Sequence, residues 1–139
     1  MVQNNAQEKE RSWQSVILNY SQPRISRRVW QMINSLGPYL LLWVIIVQVA
    51  KISPWLTIPF ILLASGFLVR IFIIFHDCGH GSFFKSKKAN VIVGKIFGIL
   101  ALTPYHKWTD SHQRHHQTVG DLDKRGDGDV WTMTVDEYL

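Results

Sequence analysis

The chain has a single cysteine, Cys78, among 139 residues. No intrachain disulfide can form, and nothing in the cysteine usage argues for an oxidising compartment. There is no cysteine cluster to hold an iron–sulfur centre and no glycine-rich dinucleotide fingerprint, so electrons for any redox chemistry have to arrive from a separate donor. Acidic side chains are scarce: 10 Asp and Glu stand against 15 Lys and Arg, a net charge of +5 with a pI near 9.6. Such a balance suits nucleic acid or anionic lipid headgroups. No nucleic-acid motif accompanies it, which favours lipid and excludes nucleic acid as a partner. The first thirty or so residues lack an early apolar run, so no secretory leader is expected there. Internal repeats and low-complexity tracts are also missing.

What is present is hydrophobic: 47% of the residues, concentrated between positions 33 and 105. That stretch is too apolar for a soluble domain of this size. Residues 33–50 contain no charged side chain, and as a helix they would extend about 27 Å, close to the hydrocarbon thickness of a bilayer. Lys51-Ile52-Ser53-Pro54 then supplies a charge and a helix breaker, and Trp55 stands where an aromatic belt residue would. Residues 55–75 form a second stretch of about 31 Å. Its one charge, Arg70, lies near the exit end, where it can snorkel to headgroups. Residues 91–104 are apolar apart from Lys95 but short for a complete crossing, and read as an interfacial or re-entrant segment.

The expected fold is therefore an all-α membrane protein. A basic segment, residues 1–32, precedes a partial domain, residues 33–139, built on a two-helix transmembrane hairpin and an interfacial helix. Lys9, Arg11, Arg24, Arg27 and Arg28 lie in the lead-in, with Trp13 and Trp30 as interface anchors, and Lys85, Lys87 and Lys88 follow the hairpin. Positive charge on both sides of the hairpin places both ends at the cytoplasmic surface.

Five of the six histidines fall in two short clusters, His76-Asp77-Cys78-Gly79-His80 and His112-Gln113-Arg114-His115-His116. On a helix, spacings of i+3 and i+4 turn each cluster's imidazoles in one general direction. Two such faces can build one polynuclear site, provided that residues 91–104 do not cross the membrane between them. Imidazole serves iron, copper, nickel and zinc alike, so ligand type leaves the metal open. A zinc protease would place Glu next to the first histidine, where this chain has Asp77. Cys78 reads as a packing residue and His106, outside both clusters, as structural. An EF-hand loop starting at Asp121 would require an oxygen ligand at Arg125 and Glu at Thr132, and has neither, so the segment reads as a polar turn.

These clusters, together with Phe72-Ile73-Ile74-Phe75 before the first, Gly81-Ser82-Phe83-Phe84 after it, and Leu122 through Trp131 after the second, resemble the N-terminal part of membrane-bound acyl-lipid fatty acid desaturases. The resemblance implies part of a larger four-span fold with both histidine boxes cytoplasmic. It implies a centre of two iron ions, with His76, His80, His112, His115 and His116 as metal ligands, that uses O2 and two electrons to place a double bond in membrane lipid acyl chains. A metal centre suits that chemistry, because no side chain is a strong enough oxidant to remove hydrogen from a methylene. Ferredoxin or a cytochrome is the implied external donor, and Lys85, Lys87 and Lys88 would offer it a basic docking surface. Asp77 and Asp110 are candidates to accept the second N–H of a ligand histidine.

The family carries a third histidine box downstream, and a pair of irons would take about eight nitrogen ligands against the five histidines counted here. The chain is thus expected to be incomplete and inactive alone, the remainder of the desaturase supplying the third box. Related histidine-box hydroxylases or ketolases, or a non-catalytic truncated membrane protein, remain alternative readings.

Overall fold

A computed structural model describes residues 24–124 and 133–139. Lys9, Arg11 and Trp13 of the basic lead-in, and the end of the downstream motif from Arg125 through Trp131, lie outside the described residues. Among the described residues the chain is helical and has no strand. Helix α1 (Ile25–Ala50) turns through a 3-10 segment (Pro54–Thr57) into α2 (Ile58–Gly79). Helices α3 (Lys87–Leu100) and α4 (Tyr105–Thr118) follow, then a short 3-10 turn (Leu122–Lys124) and a single helical turn, α5 (Val135–Tyr138).

Two helical segments, Ile25–Ala50 and Pro54–Gly79, are long and apolar enough to cross a membrane, and only 6% and 22% of their most apolar windows are buried. A core helix of a soluble protein would be largely covered. Here Leu41, Val44, Leu62 and Val69 are each more than half exposed, an apolar surface that calls for lipid around it. Helix α1 begins well before the charge-free stretch at residue 33, since Arg27, Arg28 and Gln31 are good helix formers. The loss of charge marks where hydrocarbon would begin, while the helix itself starts earlier.

The hairpin is tied across its middle by polar groups. Ser35, fully buried in α1, donates to the carbonyl of Gln31 at 2.7 Å. Arg70 of α2 donates from Nε to Ser35 Oγ at 3.3 Å. The charge expected to snorkel to headgroups is in the structure bonded to the neighbouring helix.

Both helix ends that frame the site close in the same way. In α2, His80 is the C-cap, Gly81 takes a left-handed φ of 67°, and the amides of Gly81 and Ser82 donate to the carbonyls of Cys78 and Asp77, each at 3.0 Å. That is the Schellman closure, which favours glycine at this position. In α3 the same pattern runs through Leu102, φ 53°, with Leu102 and Thr103 donating to Ile99 and Gly98 at 3.1 and 2.7 Å. The third helix therefore occupies Lys87–Leu100, earlier than residues 91–104. Ser86 caps its start, accepting from the Ala89 amide at 3.3 Å, and Leu102 stops it before Pro104.

Ile71, Ile74, Phe75, Cys78, Phe83 and Phe97 form the buried core where α2, α3 and the loop between them meet. Cys78 is a packing residue, as expected from the sequence. Two glycines one turn apart let α3 approach closely. A Cβ on Gly94 would overlap the Tyr105 ring, and one on Gly98 would lie 2.7 Å from the Thr103 carbonyl oxygen. The opposite side of α3 carries Ile92, Ile96 and Ile99, exposed by 60%, 51% and 74%, on a single uncovered stripe.

Candidate metal centre

The last turn of α2 carries His76 and ends on His80, while His112 and His116 stand one turn apart on α4. The packing of α3 against both helices brings these four rings together. His112 Nε2 lies 3.0 Å from His76 Nε2, 3.1 Å from His80 Nε2 and 3.0 Å from His116 Nε2. His76 and His80 are separated by 3.3 Å between the same atoms. All four candidate ligand atoms fall within 4.8 Å of one another.

Hydrogen bonding among the rings does not account for this convergence. A neutral imidazole has one N–H to give, whereas His112 Nε2 faces three other Nε2 atoms at once. Nitrogen donors in adjacent positions around a metal, each about 2.1 Å from it, stand about 3 Å apart. The donor set fits a shared cation.

Electrostatics point the same way. Burial, then repulsion from His76, His116, His80 and His115, push His112 down from 6.5 to about 4. His80 is lowered by burial and by His76 and His116, with Asp77 opposing. His112 and His80 are thereby favoured in the neutral form that coordinates. On the far side of His76, Nδ1 lies 3.4 Å from Asp77 Oδ1. A proton on Nδ1 facing the carboxylate leaves the Nε2 lone pair turned into the cluster. Asp110 is exposed on α4, and no hydrogen bond links it to a histidine among the described residues.

His115 is the one box residue outside the convergent four. Its ring is 5.9 Å from His112 and 5.6 Å from His116, beside the cluster. Helix geometry explains the split: relative to His112, the i+3 residue falls about 60° to one side and the i+4 residue about 40° to the other. His106 is remote from the cluster, packs on Tyr105 with ring centroids 5.4 Å apart, and lines an apolar cavity of about 710 Å³ at the α3–α4 reversal. A smaller cavity, about 80 Å³, opens between His80 and His112 and is also lined by Gly79, Thr109 and Gln113.

Residues that the histidine pattern alone did not reveal hold the cluster in place. Asn90, 2% exposed, donates from Nδ2 to the carbonyls of Gly81, Phe84 and Ser86 and accepts from the Phe84 amide. It fastens the loop that follows His80. Tyr105 donates its hydroxyl to the Cys78 carbonyl at 3.1 Å, joining the start of α4 to the end of α2. Trp108 lies between the two boxes. Its position one turn before His112 was the available signal.

Comparison with known proteins agrees with the geometry. Residues 53–137 match the family model described as fatty acid desaturase. The chain is 41% identical over 138 residues to a fatty acid desaturase of Bacillus subtilis, an alignment covering 99% of this chain and 39% of that protein. It is 41% identical over 75 residues to the sn-1 acyl-lipid omega-3 desaturase (ferredoxin) of Synechocystis, covering 53% of this chain and 21% of the relative. The chloroplastic sn-2 acyl-lipid omega-3 desaturase (ferredoxin) of Arabidopsis thaliana is 40% identical over 75 residues, 53% of this chain and 17% of its own length. The chain thus spans about two fifths or less of the length of these relatives. No solved structure matches significantly.

Proposed function

We propose that this chain, which belongs to the fatty acid desaturase family, supplies the first two histidine boxes of an oxygen-dependent membrane desaturase that introduces double bonds into lipid acyl chains. The observation that carries the reading is the meeting of four Nε2 atoms from two helices within 4.8 Å. His76, His80, His112 and His116 would hold iron there, and His115, at the flank of the cluster, would serve a second ion of the pair. When bound, the irons supply the oxidising power, with O2 and two electrons, that removal of hydrogen from an unactivated methylene demands. The chain's own part is to orient the rings, keep His112 and His80 neutral, and hold Asp77 against His76 Nδ1.

The hairpin α1–α2 anchors the site in the membrane, with α3 lying at the interface. Its open Ile92, Ile96 and Ile99 stripe, facing away from the core, supports that placement. With α3 interfacial, both boxes emerge on one surface, and the basic residues on either side of the hairpin make that surface cytoplasmic. The third box and remaining spans of a four-span fold would come from the rest of a longer desaturase. Ferredoxin is the favoured electron donor, since it is named for the Synechocystis and Arabidopsis relatives. The exposed Lys85, Lys87 and Lys88 suit an acidic protein of that kind.

Replacing the matching segment of the Bacillus subtilis relative with this chain and analysing host lipids tests the reading. New acyl double bonds that disappear on His112→Ala are expected. Lipids carrying added oxygen instead would assign the site to a hydroxylase.

A further inference from the structure

Between the two histidine boxes stands one aromatic ring that makes contact with both. The indole of Trp108 stacks on His112 with ring centroids 4.3 Å apart and planes 20° from parallel. It meets His76 at 5.5 Å and 64°, so a single side chain touches one histidine from each helix. Behind it, Phe75 at 4.7 Å and Phe72 at 5.7 Å form the wall of a slot on α2. The slot has an opening because residue 79 is glycine: a Cβ there would lie 2.9 Å from Trp108 Cζ3 and 3.3 Å from Thr109 Cγ2.

We propose that Trp108 is a positioning residue for the metal site, its flat face setting the plane of the His112 ring so that Nε2 points at His76 and His80. The torsion that turns an imidazole about its last bond is soft and broad, so a histidine on a half-exposed helix has no intrinsic reason to hold one plane. A parallel indole at stacking distance restricts it. Trp108 itself is held by Phe72, Phe75 and the missing side chain of Gly79, so the orientation of His112 is referred back to the helix that carries the other box. The glycine between the histidines of the first box thus has a role for the second.

This inference rests on the reading that the cluster takes a metal, and the experiment separates the two. The probe is Zn2+, titrated into the purified 139-residue chain in lipid nanodiscs against a zinc-binding dye, with thermal melting of the helical signal in parallel. Trp108→Phe, which keeps a flat ring, is expected to bind within about threefold of wild type. Trp108→Leu, which fills the slot without a ring face, is expected to weaken binding by about tenfold or more, the scale on which supporting residues act at metal sites. Gly79→Ala, which displaces the indole while leaving it present, is expected to fall with Trp108→Leu. Equal zinc affinity for Trp108→Leu and wild type overturns the proposal. So does a weakening shared equally by Trp108→Phe and Trp108→Leu, or one matched by a lower melting point of the metal-free chain, since either would mark Trp108 as general packing. Failure of the wild-type chain to bind Zn2+ would instead count against the metal reading of the cluster.

Discussion

The Nε2 atoms of His80 and His112, 32 residues apart in the chain, stand 3.1 Å from each other. One caps α2 and the other lies on α4, with all of α3 between them in sequence. Their approach requires the chain, after α3, to bring α4 back to the C-terminal end of α2, which is the condition for the two boxes to share a metal.

The depressed affinity of His112 for protons has a consequence for stability. Its folded value of about 4 lies below the 6.5 of an unperturbed histidine, so between those values the unfolded chain binds more protons than the folded one. Stability contributed by this group is full above about pH 6.5 and is lost as the pH falls towards 4; His80, lowered in the same direction, adds to the trend. Thermal melting of the metal-free chain is expected at a lower temperature at about pH 5 than at about pH 7.5. His112→Gln should flatten the difference. An unchanged melting temperature for wild type across that interval would contradict it.

Asn90 makes four hydrogen bonds to the loop after His80 while almost wholly buried. Asn90→Leu leaves the Phe84 amide and the Gly81 and Phe84 carbonyls without the Asn90 side chain, at about 1–3 kcal/mol for a group so stranded, while the Ser86 carbonyl keeps the backbone amide of residue 90. Loss of helical signal at lower denaturant, with zinc affinity reduced as the loop loosens, is the expected result. Full retention of stability would show that the loop closes without it.

Gly98 faces both the Thr103 carbonyl and the Phe75 ring, at 2.7 and 3.0 Å from where a Cβ would stand. Gly98→Ala therefore forces backbone to move, at about 1–3 kcal/mol by analogy with overpacked cores. Gly37→Ala, where a Cβ meets nothing within 4 Å, is the control expected to leave folding intact. Equal melting behaviour of the two variants would count against close packing at the α3–α4 reversal.

Much of the architecture was legible in composition. The charge-free run at residues 33–50, the Lys51-to-Pro54 interruption and the apolar stretch after it describe a helical hairpin before any coordinates. Helix ends were harder, because they depend on local closures. Ser86 starts α3 early, and Leu102 ends it in a backbone conformation usually left to glycine. The histidine boxes were visible as spacing, and in the structure His76, His80, His112 and His116 come to one place. Spacing did not separate His115 from its neighbours, since i+3 and i+4 share a face only within about 100°. Nor could it show what Gly79, Gly94 and Gly98 are for. Each is small because an aromatic ring from another helix, Trp108, Tyr105 or Phe75, occupies the space, and that partner is set by the tertiary fold.

The most direct test of a site shared by both boxes is X-ray absorption on the chain loaded with one equivalent of Zn2+, for wild type, His80→Ala and His112→Ala. The expected spectrum has imidazole nitrogens at about 2.0–2.1 Å, and each substitution removes one of them from the same shell. A shell that survives either substitution unchanged would put the metal on a single helix and contradict the account.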